Sequence, residues 1–221
     1  MNPLILCIAG RSDTGKTTLI LNLLPFFKGD GLKVGVVKNC PHGFDVEDKE
    51  GKDSWRFSQA GSDGVLLTSP QGMVIFRSIP EGRVKSWVQE FFYDYDVVLL
   101  EGFSGEPGIE KVNVLRRGIY EKVEFPEEEL LAVVADFPVG AKVPVFHHRD
   151  VEGLYKLILK RLKEEKERNF LLEVNGKEVP VNRFVERIFT GVVREMVESL
   201  RREEKEVREI SLKLRLMGEA R

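Results

Sequence analysis

The sequence predicts an α/β protein built on a mostly parallel β-sheet that helices cover on both faces. Short apolar runs alternate with stretches of helical spacing along most of the 221-residue chain. The runs are apolar throughout, which is typical of strands buried on both faces. A glycine-rich turn joins the first apolar run to the first helical stretch, as in a strand–loop–helix unit. These three observations together favour a doubly covered parallel sheet.

The predicted elements follow in a regular order. The predicted strands are PLILCIAG, KVGVVKN, GVLLTS, GMVIFRS, DVVLLEGF, EKVNVLR, LLAVVADF and VPVFHH. The predicted helices are KTTLILNLLPFF, SWRFSQAG, GRVKSWVQEFFYD and VEGLYKLILKRLKEE. Apolar residues recur at helical spacing in the second group, whereas Gly, Pro and Ser mark the turns between elements.

The last quarter of the chain predicts a small separate unit. Composition turns almost wholly charged around 163–169, which places a domain boundary between 1–167 and 168–221. The pair Asn175-Gly176 between apolar alternations is a strong hairpin signal. An amphipathic helical stretch, RFVERIFTGVVREMVESLRR, and the alternating run ISLKLRL follow it. We predict a ββαβ extension, marginal by itself, that serves dimerisation or partner binding.

Bulk properties narrow the function classes. A formal net charge of −2 gives no general attraction for nucleic acid or an anionic membrane. No apolar run reaches the length of a membrane span, and the N-terminus lacks the basic start of a signal peptide. Cys7 and Cys40 are too few for a disulfide framework. We therefore expect a cytoplasmic protein that contacts neither membrane nor nucleic acid.

The turn after the first strand predicts a phosphate-binding loop. Gly10, Gly15, Lys16 and Thr17 fit the pattern Gly, any four residues, Gly-Lys-Ser/Thr, which defines the P-loop of NTPases. Backbone N–H groups of such a loop and the following helix N-terminus bind phosphates, the lysine reaches the outer phosphates, and the hydroxyl holds Mg²⁺. The full predicted loop also includes Arg11, Ser12, Asp13, Thr14 and Thr18.

Two acidic residues at strand ends are further candidates. Glu101 ends the run Val97–Leu100, where a strand beside the first would bring a carboxylate to the Mg²⁺ shell. Asp136 follows a late strand, where a P-loop protein places its base-reading loop. No Asn-Lys-x-Asp motif is present, yet a carboxylate there could accept both hydrogen bonds from the N1 and N2 edge of guanine. A loop or helix-cap aspartate is the alternative interpretation.

A polar stretch after the second strand lies where open α/β sheets bind ligands. It contains Lys38, His42, Asp45, Asp48, Lys52, Asp53 and Arg56. The acids could bind Mg²⁺ or orient water, and the cations could meet phosphate. Cys40 with His42, and the pair His147-His148, offer too few ligands for a metal site of their own.

At this point the residues resemble those of a known family, MobB, the adaptor proteins of molybdopterin-guanine dinucleotide biosynthesis. The similarity covers about residues 1–165. The matching pieces are GRSDTGKTTLI, VVKNCPHGFDVEDKEGKDSWRFSQAGSDGVLLTS, DVVLLEGF and EKVNVLR. The resemblance implies a homodimer that binds GTP and Mg²⁺ and works with the MobA-like guanylyltransferase joining GMP to the molybdenum pterin cofactor, molybdopterin.

The same resemblance implies roles for single residues. It assigns phosphate binding to Gly10, Gly15, Lys16 and Thr17, the signature loop to Asp48, Lys52, Asp53 and Arg56, the acid strand to Glu101, and basic positions to Lys111 and Arg116. Asn39-Cys40 stands where the family usually has a histidine, and Ser104 where it often has a lysine. Lys16, Asp48 and Glu101 are the candidate catalytic residues, and Thr17 and Glu101 the candidate Mg²⁺ ligands.

Hydrolysis is expected to be slow, because the sequence shows no identifiable arginine finger and no glutamine placed to orient water, and an arginine finger supplies on the order of 10³ to 10⁵ in rate. Two other functions stay open at this stage. A small-molecule kinase would use the same loop with Asp48 or Asp53 as base, and a metal-loading GTPase would use Cys40-Pro41-His42. A third view makes the C-terminal extension an interaction module that the nucleotide site switches.

Overall fold

A computed structural model describes residues 3–40, 53–77, 84–166, 172–174, 177–179, 181, 183–200 and 210. The chain divides into two compact units, one of residues 2–162 and one formed mainly by 163–221. Each unit is described by itself.

The first unit is an α/β domain around a six-stranded sheet. Its elements are β1 (Leu4–Ala9), α1 (Lys16–Gly29), β2 (Val34–Lys38), α2 (Asp53–Gln59), β3 (Gly64–Ser69), β4 (Gly72–Arg77), α3 (Val84–Phe91), β5 (Val97–Glu101), β6 (Glu110–Val114), a 3₁₀ turn (Glu127–Glu129), β7 (Leu130–Ala135), β8 (Val145–His147) and α4 (Val151–Lys166). The strand order is β2-β5-β1-β6-β7-β8, and every neighbouring pair is parallel.

Burial explains why the central strands read as apolar runs. β5 is buried along its whole length, and β1, β6 and β7 nearly so. One face of the sheet packs on α1 and α4 through a cluster that includes Leu6, Phe27 and Ile158. The other face packs on α3 through Cys7, Val88 and Leu100. The predicted parallel sheet covered on both faces is confirmed.

The strands β3 and β4 form an antiparallel hairpin of their own. Six residue pairs join them, from Gly64–Arg77 to Ser69–Gly72. Within the described residues the hairpin pairs with no strand of the large sheet. Its apolar side chains are between 41% and 71% exposed at Leu66, Leu67, Met73, Val74 and Ile75. Such a two-stranded ribbon is marginal by itself in water.

The second unit contains a short hairpin and a helix. β9 (Glu173–Val174) and β10 (Lys177–Glu178) pair antiparallel on either side of the predicted Asn175-Gly176 turn, which itself lies outside the described residues. α5 (Arg183–Glu198) confirms the predicted amphipathic helix. Of the predicted strand ISLKLRL only Ile210 is described, in no regular element, and the rest lies outside the described residues.

No helix among the described ranges combines the length and the apolar character that crossing a membrane requires.

Candidate phosphate-binding site

The predicted loop lies at the carboxyl edge of the sheet, between β1 and the N-terminus of α1. All six strands run parallel, so the residues that follow β2, β5, β6, β7 and β8 meet at this same edge. In open α/β sheets that edge is where ligands bind.

Backbone conformation explains the two glycines of the loop. Gly10 has φ 149°, and a Cβ built on it would lie 2.4 Å from the carbonyl oxygen of Val114. Gly15 caps α1 with φ 99°, a left-handed conformation that costs an L-residue energy. Asp13 also has a positive φ, of 63°. Successive residues with positive φ can turn backbone N–H groups toward one point, which is the arrangement that phosphate binding uses.

Two side chains of the loop donate hydrogen bonds to the same backbone carbonyl within the loop, that of Arg11. Thr14 Oγ1 donates to the carbonyl oxygen of Arg11 at 2.9 Å, and Lys16 Nζ donates to the same oxygen at 2.7 Å. Thr14 is fully buried, so its hydroxyl is a structural group that fixes the turn of the loop. Lys16 is partly exposed and can exchange this neutral carbonyl for phosphate, a stronger charge-assisted acceptor.

The acid cluster, defined here as Thr17, Glu101 and Lys38, lies on the β5 side of the loop. Thr17 Oγ1 donates to Glu101 Oε1 at 2.8 Å, and Lys38 Nζ lies 3.6 Å from the same oxygen. Glu101 is only 9% exposed. A hydroxyl and a carboxylate at this distance are the oxygen ligands that Mg²⁺ prefers, so these residues could hold the metal.

Asn39 joins the carboxyl ends of β2 and β5 by hydrogen bonds beside this cluster. Its backbone N–H donates to the Glu101 carbonyl at 2.8 Å, and its side-chain Nδ2 donates to the Gly102 carbonyl at 3.0 Å. Sequence reasoning noted Asn39 as a departure from the family and missed this role. Its place directly after a strand was the available signal.

The β6–β8 cluster, defined here as Arg116, Asp136 and His148, lies on the opposite side of the loop. A Cβ on Gly15 would lie 3.6 Å from Arg116 Nη1 and 3.8 Å from the His148 ring. The backbone N–H of Arg117 donates to Asp136 Oδ1 at 2.8 Å. That hydrogen bond lowers the pKa of Asp136, so its carboxylate is ionised at neutral pH.

The outer part of the loop is anchored by residues that the sequence did not single out. Arg11 Nε donates to Glu124 Oε1 at 2.9 Å, and its guanidinium lies 5.0 Å from the centroid of the Tyr120 ring. Both partners belong to the segment that follows β6, and the glycine-rich motif of the loop does not extend to that segment.

The remaining predicted residues have different outcomes. Ser12, Asp13 and Thr18 are exposed at the loop or the first turn of α1. Lys111 is fully buried in β6, where its Nζ binds Glu129 at 2.7 Å. Asp53 and Arg56 face each other at 3.6 Å on exposed α2. The predicted positions His42, Asp45, Asp48 and Lys52 lie outside the described residues.

The two cysteines are free thiols, Cys7 buried and Cys40 partly buried. Burial raises the pKa of the Cys7 thiol to about 11, so it stays protonated at neutral pH and serves as a packing group. Among the residues with described positions, no group of three or more His, Cys, Asp or Glu side chains is arranged to hold a metal ion.

Comparison with known proteins decides the family. The sequence profile of the family described as "Molybdopterin guanine dinucleotide synthesis protein B", MobB, matches residues 5–136. The chain belongs to the MobB family. This match spans the loop, the acid cluster and, from the β6–β8 cluster, Arg116 and Asp136, whereas His148 lies beyond it. Membership assigns the chain to molybdopterin-guanine dinucleotide synthesis.

Individual MobB relatives agree. The chain is 36% identical over 137 residues to the molybdopterin-guanine dinucleotide biosynthesis adapter protein of Haemophilus influenzae, covering 61% of this chain and 76% of the relative. It is 30% identical over 169 residues to the adapter protein of Escherichia coli, covering 73% and 94%. The crystal structure of a molybdopterin-guanine biosynthesis protein B (MobB) superposes with TM-score 0.53 at 33% identity, covering 72% of this chain and 99% of that one.

Proposed function

We propose that this protein is a GTP-binding adapter of molybdopterin-guanine dinucleotide synthesis, which holds GTP·Mg²⁺, hydrolyses it slowly, and assists a partner guanylyltransferase. The hydrogen bond between Thr17 and Glu101 carries the proposal. It joins the first turn of α1 to the end of the neighbouring β5 at 2.8 Å, beside a loop that two glycines shape for phosphate. Relatives described as adapters of this synthesis support the role.

In this proposal Lys16 and the loop backbone bind the phosphates, and Thr17 with Glu101 holds Mg²⁺, which neutralises phosphate charge. Hydrolysis is slow in this proposal because the sequence has no identifiable arginine finger and no glutamine placed to orient water, and Arg11 of the loop is bonded to Glu124. The protein therefore binds nucleotide and presents its state to the partner.

Calorimetric titration with Mg²⁺ and the β,γ-imido analogues of GTP and ATP tests the nucleotide. We expect tight binding of the GTP analogue and a loss of at least about 100-fold in Lys16→Ala, because the phosphates lose a charge-assisted contact and Arg11, the other cation of the loop, is bonded to Glu124. Lys28→Ala is the matched control, since Lys28 lies on the same helix α1, at the end remote from the loop. Preference for ATP would reject the guanine nucleotide and favour a small-molecule kinase.

The exposed β3–β4 hairpin supports the homodimer. Five apolar side chains are exposed on a ribbon that lacks a third strand among the described residues. Exposed apolar surface of this kind marks a protein interface. A second copy of the same hairpin would cover it with side chains of matching character.

Light scattering after size exclusion tests this interface. We expect the wild-type chain to be a dimer and the Leu66→Asp/Ile75→Asp pair to weaken it by at least about tenfold, because two charges would lie in a desolvated contact. Ser69→Asp adds charge at the hairpin turn and should leave the dimer unchanged. If the double variant is still a dimer, the interface lies outside the β3–β4 hairpin. A chain ending at residue 167 then shows whether the extension 168–221 mediates assembly.

A further inference from the structure

The acid cluster and the β6–β8 cluster occupy opposite sides of one phosphate loop. β5 neighbours β1 on one side, and β6, β7 and β8 follow on the other. A nucleoside triphosphate is extended, with its metal-bound phosphates at one end and its base at the other. If the phosphates meet Thr17 and Glu101, a base that extends across the loop meets the β6–β8 cluster, which adjoins Gly15.

Arg116 and Asp136 present a donor beside an acceptor. Arg116 Nε lies 3.8 Å from Asp136 Oδ2, which is an ion pair longer than a hydrogen bond. Arg116 is about half exposed and Asp136 about a third. Arg116 can therefore donate hydrogen bonds to a ligand, and Asp136 can accept them, in addition to their mutual attraction.

The backbone around this pair is fixed. His148 Nε2 lies 2.7 Å from the carbonyl oxygen of Leu115. A carbonyl only accepts, so the ring proton is on Nε2. Arg116 N–H donates to the Tyr120 carbonyl at 3.0 Å, closing the turn that follows β6. These two hydrogen bonds, one at Leu115 and one at Arg116 itself, fix the backbone that places Arg116 next to Gly15.

A donor next to two carboxylate oxygens has the pattern of the Watson–Crick edge of cytosine, and guanine is its complement. We propose that Arg116 and Asp136 together read the guanine base: Arg116 donates to O6, and Asp136 accepts from N1–H and the N2 amino group. Adenine lacks a group at C2 and can satisfy no more than two of these hydrogen bonds. Arg116 thereby becomes a specificity-determining residue. This inference rests on the proposed binding of GTP at the loop.

Calorimetry on the full chain with Mg²⁺ and the imido analogues of GTP, ITP, XTP and ATP tests it. Inosine lacks the N2 amino group, so we expect ITP to bind about 10- to 100-fold more weakly than GTP, the range for one hydrogen bond to a charged group. Asp136→Asn should raise the XTP-to-GTP affinity ratio by about 100-fold, because an amide donor repels the N2 amino group and suits the xanthine C2 oxygen.

Arg116→Gln should weaken the binding of GTP and ITP by about tenfold and leave ATP binding unchanged. Guanine and hypoxanthine have an oxygen at C6, whereas adenine has an amino group there. Arg117→Gln removes the same charge from the next position, where only the backbone N–H is used, and serves as the matched control. The Asp136→Asn variant keeps a side-chain oxygen that can accept from the Arg117 backbone N–H, and thermal melting shows whether it folds. If it does not fold, the Arg116 and Arg117 variants alone test the inference.

An equal loss of GTP and ATP in Arg116→Gln would overturn the inference, because it would show a phosphate or general charge effect. Unchanged affinity ratios among the four nucleotides in both variants would overturn it too. These outcomes leave the proposed function standing, provided that Lys16→Ala abolishes binding. Wild-type protein that binds no triphosphate would overturn the proposed function and this inference with it.

Discussion

Replacement of Gly10 by alanine is expected to abolish binding of the GTP analogue and to destabilise the first unit by about 2 to 5 kcal/mol, the sum of backbone strain and steric overlap. The added Cβ would lie 2.4 Å from the Val114 carbonyl oxygen, which cannot move without disturbing β6. The loop must then open, and its N–H groups no longer converge on phosphate. Calorimetry and urea unfolding measure the two effects.

Gly31→Ala is the matched control for this substitution. Gly31 also has a positive φ, 73°, but a Cβ there meets nothing within 4 Å. We expect a cost of about 1 kcal/mol from backbone strain and no change in nucleotide affinity. Equal effects at the two glycines would contradict the steric explanation of the loop.

Glu129→Ala is expected to cost about 3 kcal/mol of unfolding free energy, the lower end for breaking a buried ion pair, since Glu129 itself is a third exposed. Its partner Lys111 has a side chain only 1% exposed. Carbonyls of Glu106 and Ile109 would remain near Lys111 Nζ, but Lys111 would lose Glu129, the carboxylate with which it forms an ion pair within the described part of the chain. Urea unfolding followed by tryptophan fluorescence reports this unit, because Trp55 and Trp87 both lie within it.

Glu127→Ala provides the comparison from the same 3₁₀ turn. Glu127 pairs with Lys142 at a similar distance, 2.8 Å, but the Lys142 side chain is 85% exposed. An exposed pair contributes about 0.5 kcal/mol or less, so this substitution should be nearly silent. If both substitutions cost the same, the burial of Lys111 is not what makes its ion pair important.

Much of the fold was predictable from local pattern. The apolar run of β5 and the glycine pattern after β1 specified a buried strand and a tight glycine-rich loop, because strand burial and left-handed turns each demand particular residue types. Helices α1, α3 and α4 followed from apolar spacing. The hairpin β3–β4 was predicted as two strands, but its separation from the large sheet was not, since pairing partners are chosen by tertiary packing.

The candidate site divides in the same way. Lys16 and Thr17 lie next to each other in a motif, so sequence alone placed them. Glu101 was an inference from its position at a strand end, and the 2.8 Å contact with Thr17 required β5 to lie beside β1. The Arg11 anchor on Glu124 spans 113 positions of sequence, and no motif encodes it.

The sequence by itself determined the α/β class, the glycine-rich loop after β1 and the resemblance to the MobB family, because each depends on neighbours along the chain. Only the tertiary structure decided that Arg116, Asp136 and His148 share one side of that loop, opposite Thr17 and Glu101. These residues follow three different strands, and the order in which parallel strands join a sheet is fixed by packing between distant segments rather than by any local pattern.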